Sequence, residues 1–374
     1  MNGRKKIEAA FSAAGTNQIP ALTSYWDITI RDHWDELTGC PWWYQFSPQL
    51  GDQLAWQREA IPRPGHDWFY LPFGASRTAR ARTIIEAGPE GAALIDRKTL
   101  AATRLERPAP GGHWVDPPPP QPETLDEIDK LVPEPPPFDL GEFRAEGRGE
   151  LAETLLAEFG AEYYPIYNTN SPVWGCYSLW DCAGWMRRIA TQPELVRFAS
   201  ERFLAQRLRL VREVAALGAA AIWIDECMMD QISPAQFAAL NVPILGRLMD
   251  AIRAAGMKSI YYFCGNPEGK WDQILDIGAD ALAFEEGKKG FELDIVRVAK
   301  IVRGRRALLG NLDALGILQD GSERDLRREI ARQMRAGQLS GGRFIMCLGS
   351  PVTPATPIAR VRRYCELVHE LGGD

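Results

Sequence analysis

Polar residues able to do chemistry gather just after short apolar runs in the second half of the chain. Asp225-Glu226-Cys227 ends one run, Cys264-Gly265-Asn266 the next and Glu285-Glu286 a third. Gly310-Asn311-Leu312-Asp313 and Cys347-Leu348-Gly349-Ser350 end two more. Thiols, carboxylates and amides at strand ends can hold a metal, move a proton or orient a substrate. The competing reading is that acids often cap the helices that follow strands. Cys264, Glu285 and a group on the last strand are of the types that zinc accepts. Histidine is scarce, with four residues at 33, 66, 113 and 369. His33, in "TIRDHWDEL", follows the first apolar run and could reach the same mouth. His66 precedes a strand and reads as structural, and His113 lies beside a proline-rich stretch. Cys365 and His369 have the i,i+4 spacing of a helical metal pair, but Cys365 shares an apolar stripe with Ile358, Val361 and Val368, which is core. Cys40, Cys176 and Cys182 read as ordinary buried thiols.

Two tryptophan-rich stretches, "CPWWYQF" (40–46) and "SPVWGCYSLWDCAGW" (171–185), suit either a pocket for a flat or macrocyclic substrate or a plain hydrophobic lid. In "EEGKKGF" (285–291), Lys288 or Lys289 could bind a carboxylate or phosphate; a solvated helix start fits equally. P-loop, dinucleotide, G-x-S-x-G and C-x-x-C patterns are missing from the sequence.

The elements that position these residues alternate in type. Strand-like runs are expected at 19–25, 67–71, 163–168, 220–225, 258–264, 280–285, 306–311 and 343–348, mostly separated by helical stretches. Ser233 with Pro234 and Gln236 spells a capping box, and Gly256 a stop. Ser322 opens a second helix ending near Gly337, and Thr356-Pro357 a last one ending at Gly372-Gly373. Eight such units predict a (β/α)₈ TIM barrel of class α/β over residues 1–374, with a doubly wound sheet as the alternative. Residues 76–137 interrupt it. Hairpins are expected there, turning at Gly88-Pro89-Glu90-Gly91 and Asp96-Arg97-Lys98, followed by a proline-rich linker or polyproline ligand.

The chain has 374 residues, 45% hydrophobic and 25% charged, and a net charge of −6. That composition permits a sizeable core and argues against nucleic acid or an anionic membrane surface as main partner. No apolar run reaches bilayer length, and "MNGRKKIEAAFSAAG" reads as an amphipathic helix rather than a secretory signal. Seven dispersed cysteines point to reduced thiols and a cytoplasmic location.

Several blocks, in order, resemble the uroporphyrinogen decarboxylase superfamily, including its corrinoid-dependent methyltransferases. They are "DECMMDQISPAQFAALNVPILGRLMDAIRAAGMKSIYYFCGN", "IGADALAFEE", "ALLGNLDALGILQDGSERDL" and "GRFIMCLGSPVTPATPIARVRRY", with "RKKIEAAFSAAGTNQIPAL" at the start. The resemblance covers residues 150–374 best and implies a barrel. Its methyltransferase branch implies transfer of a methyl group from a small O-, N- or S-methylated donor to a corrinoid on a separate protein, with zinc at a His-x-Cys and at a later Cys. Here Tyr262 replaces that His, Cys264 is kept and Ser350 replaces the second Cys; the resemblance leaves Cys264 and Glu285 as zinc ligands, and either Glu226, Cys227 or His33 is recruited beside them or no metal binds.

On this reading Glu226 is an acid or a ligand, Asn311 and Asp313 orient the substrate, and Tyr262, Asn266, Ser350, Arg31 and His33 line it. Implied partners are the methylated substrate, the corrinoid protein and a second copy of the chain. The alternatives are a metal-free decarboxylase or lyase depending on Arg31 or Asp32, and a non-catalytic relative that binds a corrinoid or substrate.

Overall fold

Seven parallel strands carry the C-terminal residues singled out above, and their order follows the chain. The computed structural model describes residues 1–88, 91–112, 117–288 and 290–373. His113, Lys289 and the Pro89-Glu90 turn lie outside the described residues. The strands are β1 (Trp68–Tyr70), β2 (Thr83–Gly88), β3 (Gly91–Asp96), β4 (Ala102–Leu105), β5 (Tyr164–Asn170), β6 (Ala221–Glu226), β7 (Lys258–Phe263), β8 (Ala281–Phe284), β9 (Ala307–Leu309) and β10 (Phe344–Ile345). The main sheet runs β1-β5-β6-β7-β8-β9-β10, and β2-β3-β4 form a separate antiparallel sheet.

The expected first strand, 19–25, is reduced to a parallel bridge between Ala21 and Met346. Two causes are local. Pro20 has no N–H to give a ladder, and Tyr25 turns into the left-handed region at φ 58°. The segment still bonds both sheet edges. Leu22 N donates to Met346 O (2.8 Å), and Asp67 N donates to Ala21 O (2.9 Å). The sheet is thus a curled, mostly parallel α/β layer of seven strands with its edges bridged.

Inside the curl, large and small side chains complement each other. Trp68, Tyr164, Trp223 and Tyr262 come from one side, and Ala281, Ala283 and Ala307 from the other, all buried in one cluster. The opposite faces of the strands pack on helices. Helix Pro234–Ala254 begins at the Ser233–Gln236 capping box, helix Glu323–Gln338 is capped by Ser322, and helix Ile358–Gly372 follows Pro357.

The region 76–137 holds the expected hairpins, but its proline-rich part is not all linker. Thr124 and Glu127 form a capping box that opens a helix, Leu125–Leu131. Among the described residues, no helix is long and apolar enough to cross a membrane.

Candidate functional site

Along β6, Ala221 and Trp223 face the interior of the curl while Ile222 and Ile224 face the helices. Asp225 continues the inner face. Its Oδ1 accepts from Trp223 Nε1 at 2.7 Å and its Oδ2 from Asn168 Nδ2 at 3.0 Å. Burial pushes the carboxyl up to about 6, against these donors and a hydrogen bond from Tyr25; negative charge on Asp27 adds to the rise. Aromatic rings wall it in. Trp223 stacks on Tyr262 (5.4 Å between centroids), and Tyr25 meets Tyr262 edge-on at 5.8 Å. Tyr25 does so from its left-handed backbone, a conformation that costs energy in a non-glycine residue. Tyr262's hydroxyl donates to Gly349 O (2.8 Å), tying β7 to the segment after β10.

Glu226 points the other way. Ser171 Oγ donates to its Oε1 (2.8 Å) and Asn241 Nδ2, on helix Pro234–Ala254, to its Oε2 (3.2 Å). It is fully buried. Burial pushes its carboxyl up to about 8, with Ser171, Asn241 and Tyr261 pulling against that rise. Glu226 therefore braces strand against helix and does not share the interior with Asp225.

Cys264 and Glu285 do meet. Cys264 Sγ donates to Glu285 Oε2 at 3.2 Å, and Gly265 N donates to the same oxygen at 3.0 Å. Cys227 lies against Cys264, and that thiol, followed by burial, pushes its ionisation far up. A second polar chain runs alongside. Ser350 Oγ donates to Glu286 Oε2 (2.6 Å), Lys288 pairs with Glu286, and Lys288 Nζ reaches Asp313 Oδ1 at 2.8 Å.

The remaining expected residues make these contacts. Asn311 Nδ2 donates to Leu293 O (3.0 Å) and Glu285 O (3.4 Å), bracing loops. Asp313 caps the turn Ala314–Gln319 through the amides of Leu315 and Gly316. Burial opposes its ionisation, but Lys288 and those amides outweigh it and hold its carboxyl below the usual value. Asn266 accepts from Glu268 N and shapes its own turn.

His33 is buried with Nδ1 on Glu36 and Nε2 on Thr353 O, so both ring nitrogens are engaged away from Cys264. Arg31 clasps Asp32 with two hydrogen bonds and gives a third to Gly112 O. Together with Trp34, Arg107 and Pro108 this pair lines a cleft of about 510 Å³ beside the inserted segment. His66 and Cys365 are buried, and His369 bonds Asp67.

Zinc is not well served by these groups. Among the described residues, no three His, Cys, Asp or Glu side chains are gathered to hold a metal ion. Tyr262 is committed to Gly349 O and Ser350 to Glu286, and neither is a good ligand at neutral pH.

The strand-end geometry, with interior and helix-facing carboxylates on one strand, sits within a region that matches a known family. The description "Uroporphyrinogen decarboxylase (URO-D)" matches residues 114–371. The chain belongs to the uroporphyrinogen decarboxylase family. Among curated relatives, a uroporphyrinogen decarboxylase of Thermus thermophilus is 26% identical over 171 residues, covering 46% of this chain and 47% of that protein. That of Desulfotalea psychrophila is 26% identical over 228 residues, covering 60% and 62%. The chain thus spans roughly half to three fifths of the curated relatives' length. A solved methyltransferase from Methanosarcina mazei is similar over 99% of both chains, with a TM-score of 0.68 and 15% identity, which establishes a shared fold.

Asn168 carried no signal in the sequence, and Asp225 and Glu286 stood in the strand-end groups without a role of their own. β6 is buried on both faces, so no polar alternation separated Asp225 from Glu226.

Proposed function

We propose that this chain is a decarboxylase-type lyase on a closed (β/α)₈ barrel formed by residues 1–374. Residues 19–23 would complete the ring and 76–137 would be an insertion. The observation that carries the reading is Asp225, a buried carboxyl of raised affinity for protons enclosed by Tyr25, Trp223 and Tyr262.

Loss of CO₂ from a carboxylate leaves an electron pair on carbon, and that carbon must take a proton. A carboxyl that titrates near 6 retains part of its proton close to neutrality and can supply it, then reload from solvent. Aromatic walls suit a conjugated or macrocyclic skeleton able to hold the electron pair, and the relatives' names point to a porphyrinogen-type acid. Arg31 and Asp32 neutralise each other, so their part is to anchor the loop at 108–112 beside the cleft.

The test is CO₂ release from porphyrinogen carboxylates by the purified protein and by Asp225→Asn. Expected are turnover by the wild type, with kcat falling on the alkaline side of about pH 6, and a loss in the variant of about 10²-fold or more. Unchanged kcat in Asp225→Asn sinks the proposal.

A second reading, methyl transfer to a corrinoid on a partner protein, is favoured by Cys264 resting on Glu285 at the strand ends. It predicts methylation of reduced cobalamin by a methylated donor, lost in Cys264→Ser.

A further inference from the structure

β6 and β7 pair in parallel up to Glu226 opposite Phe263. Continued by one residue, that register sets Cys227 opposite Cys264, and Cys264 N donates to Glu226 O at 2.9 Å. Neighbouring strands run about 4.7–4.9 Å apart, and a disulfide needs Cα atoms about 4.4–6.8 Å apart. Cys264 packs with the inward-facing residues of β6 and β7, Trp223 and Tyr262, so the register sets Cys227 beside it on the same face. Each cysteine is followed by a left-handed residue, Met228 at φ 62° and Gly265 at φ 102°. Both chains therefore turn away at one level and leave the thiols together at the rim. Both are partly exposed, as are Cys40 and Cys182, whereas Cys176, Cys347 and Cys365 are buried.

We propose that Cys227 and Cys264 form a reversible disulfide at the mouth of the site, made by exchange with a low-molecular-weight disulfide. In the first step the Cys264 thiolate attacks one sulfur of the reagent, and one thiolate leaves. Glu285, already accepting from the Cys264 thiol, is placed to take its proton. In the second step the Cys227 thiolate attacks the Cys264 sulfur and expels the other half of the reagent. The two cysteines lose two electrons and two protons, and the reagent becomes two thiols. Cys227 is the resolving partner, since it is Cys264 that has the Glu285 carboxylate at hand for the first attack. The bond removes the thiol hydrogen that Cys264 gives Glu285, so oxidation changes the site whatever its substrate.

The experiment treats reduced, desalted, native protein with 2-hydroxyethyl disulfide, then reduces it again. Intact mass, thiol count and peptide mapping are followed in wild type, Cys227→Ser and Cys264→Ser. Expected for wild type are a linked peptide pair containing 227 and 264 that carries no reagent and is lighter by two hydrogens, any reagent adducts confined to Cys40 and Cys182, and full recovery on reduction. Cys227→Ser should stop at a mixed disulfide on Cys264. The proposal is overturned by a link between other cysteines, by mixed disulfide persisting on wild-type Cys264, or by unreactive thiols. Mapping of the wild type decides the matter even if a variant fails to fold. Neither result depends on whether the site decarboxylates.

Discussion

Glu226→Gln removes one buried titration while keeping the shape of the side chain. Folded, the Glu226 carboxyl holds its proton up to about pH 8; its ordinary value is 4.5. Below about pH 4.5 it is protonated in both folded and unfolded chains, and it contributes no pH dependence. Between about 4.5 and 8 the unfolded chain has released the proton and the folded one retains it, so stability falls as pH rises. At about 1.4 kcal/mol per pH unit, the fall over that window is on the order of 5 kcal/mol. Glutamine cannot titrate. It can accept from Ser171, and its amide can donate to Asn241 Oδ1, a buried atom with no hydrogen-bond partner among the described residues.

Urea unfolding of both proteins at pH 4.5, 6, 7 and 8 isolates the term, because the Asp225 titration is common to both. The variant should match the wild type at the acid end and exceed it progressively toward pH 8. Parallel curves across this range, or a variant weaker than wild type at pH 8, would refute the assignment of a buried, protonated Glu226.

Three further outcomes follow from the geometry. Tyr262→Phe leaves the Gly349 carbonyl without its 2.8 Å donor and should cost about 1–3 kcal/mol, read as a lower urea midpoint at unchanged slope. Gly349→Ala places a Cβ 2.5 Å from Glu286 N and against Glu286 Oε2, so it should cost about 1–3 kcal/mol or more; an unchanged midpoint would contradict the packing. Zinc in purified, untagged protein should be well below one per chain and unaltered in Cys264→Ser, measured by elemental mass spectrometry. Near-stoichiometric zinc lost in that variant would restore Cys264 as a metal ligand.

Local chemistry was legible in the sequence wherever one segment decides the outcome. Seven of the eight anticipated strands are present, and the helix starts at Ser233 and Ser322 stand where the side chains can cap them. The helix at Leu125–Leu131 was hidden among prolines, although Thr124 and Glu127 carry its capping signature. The family resemblance was readable too, since ordered blocks survive in one dimension.

What only the tertiary structure decided is direction and company. Apolar residues cover both faces of β6, so periodicity is silent, and the choice between Asp225 and Glu226 came from which face meets Asn241 and which meets Tyr262. Cys227 and Cys264 lie 37 positions apart, and only the β6–β7 register brings them side by side at the strand ends. Register is a property of paired strands: hydrogen-bond ladders between distant segments set it, and no single segment contains it.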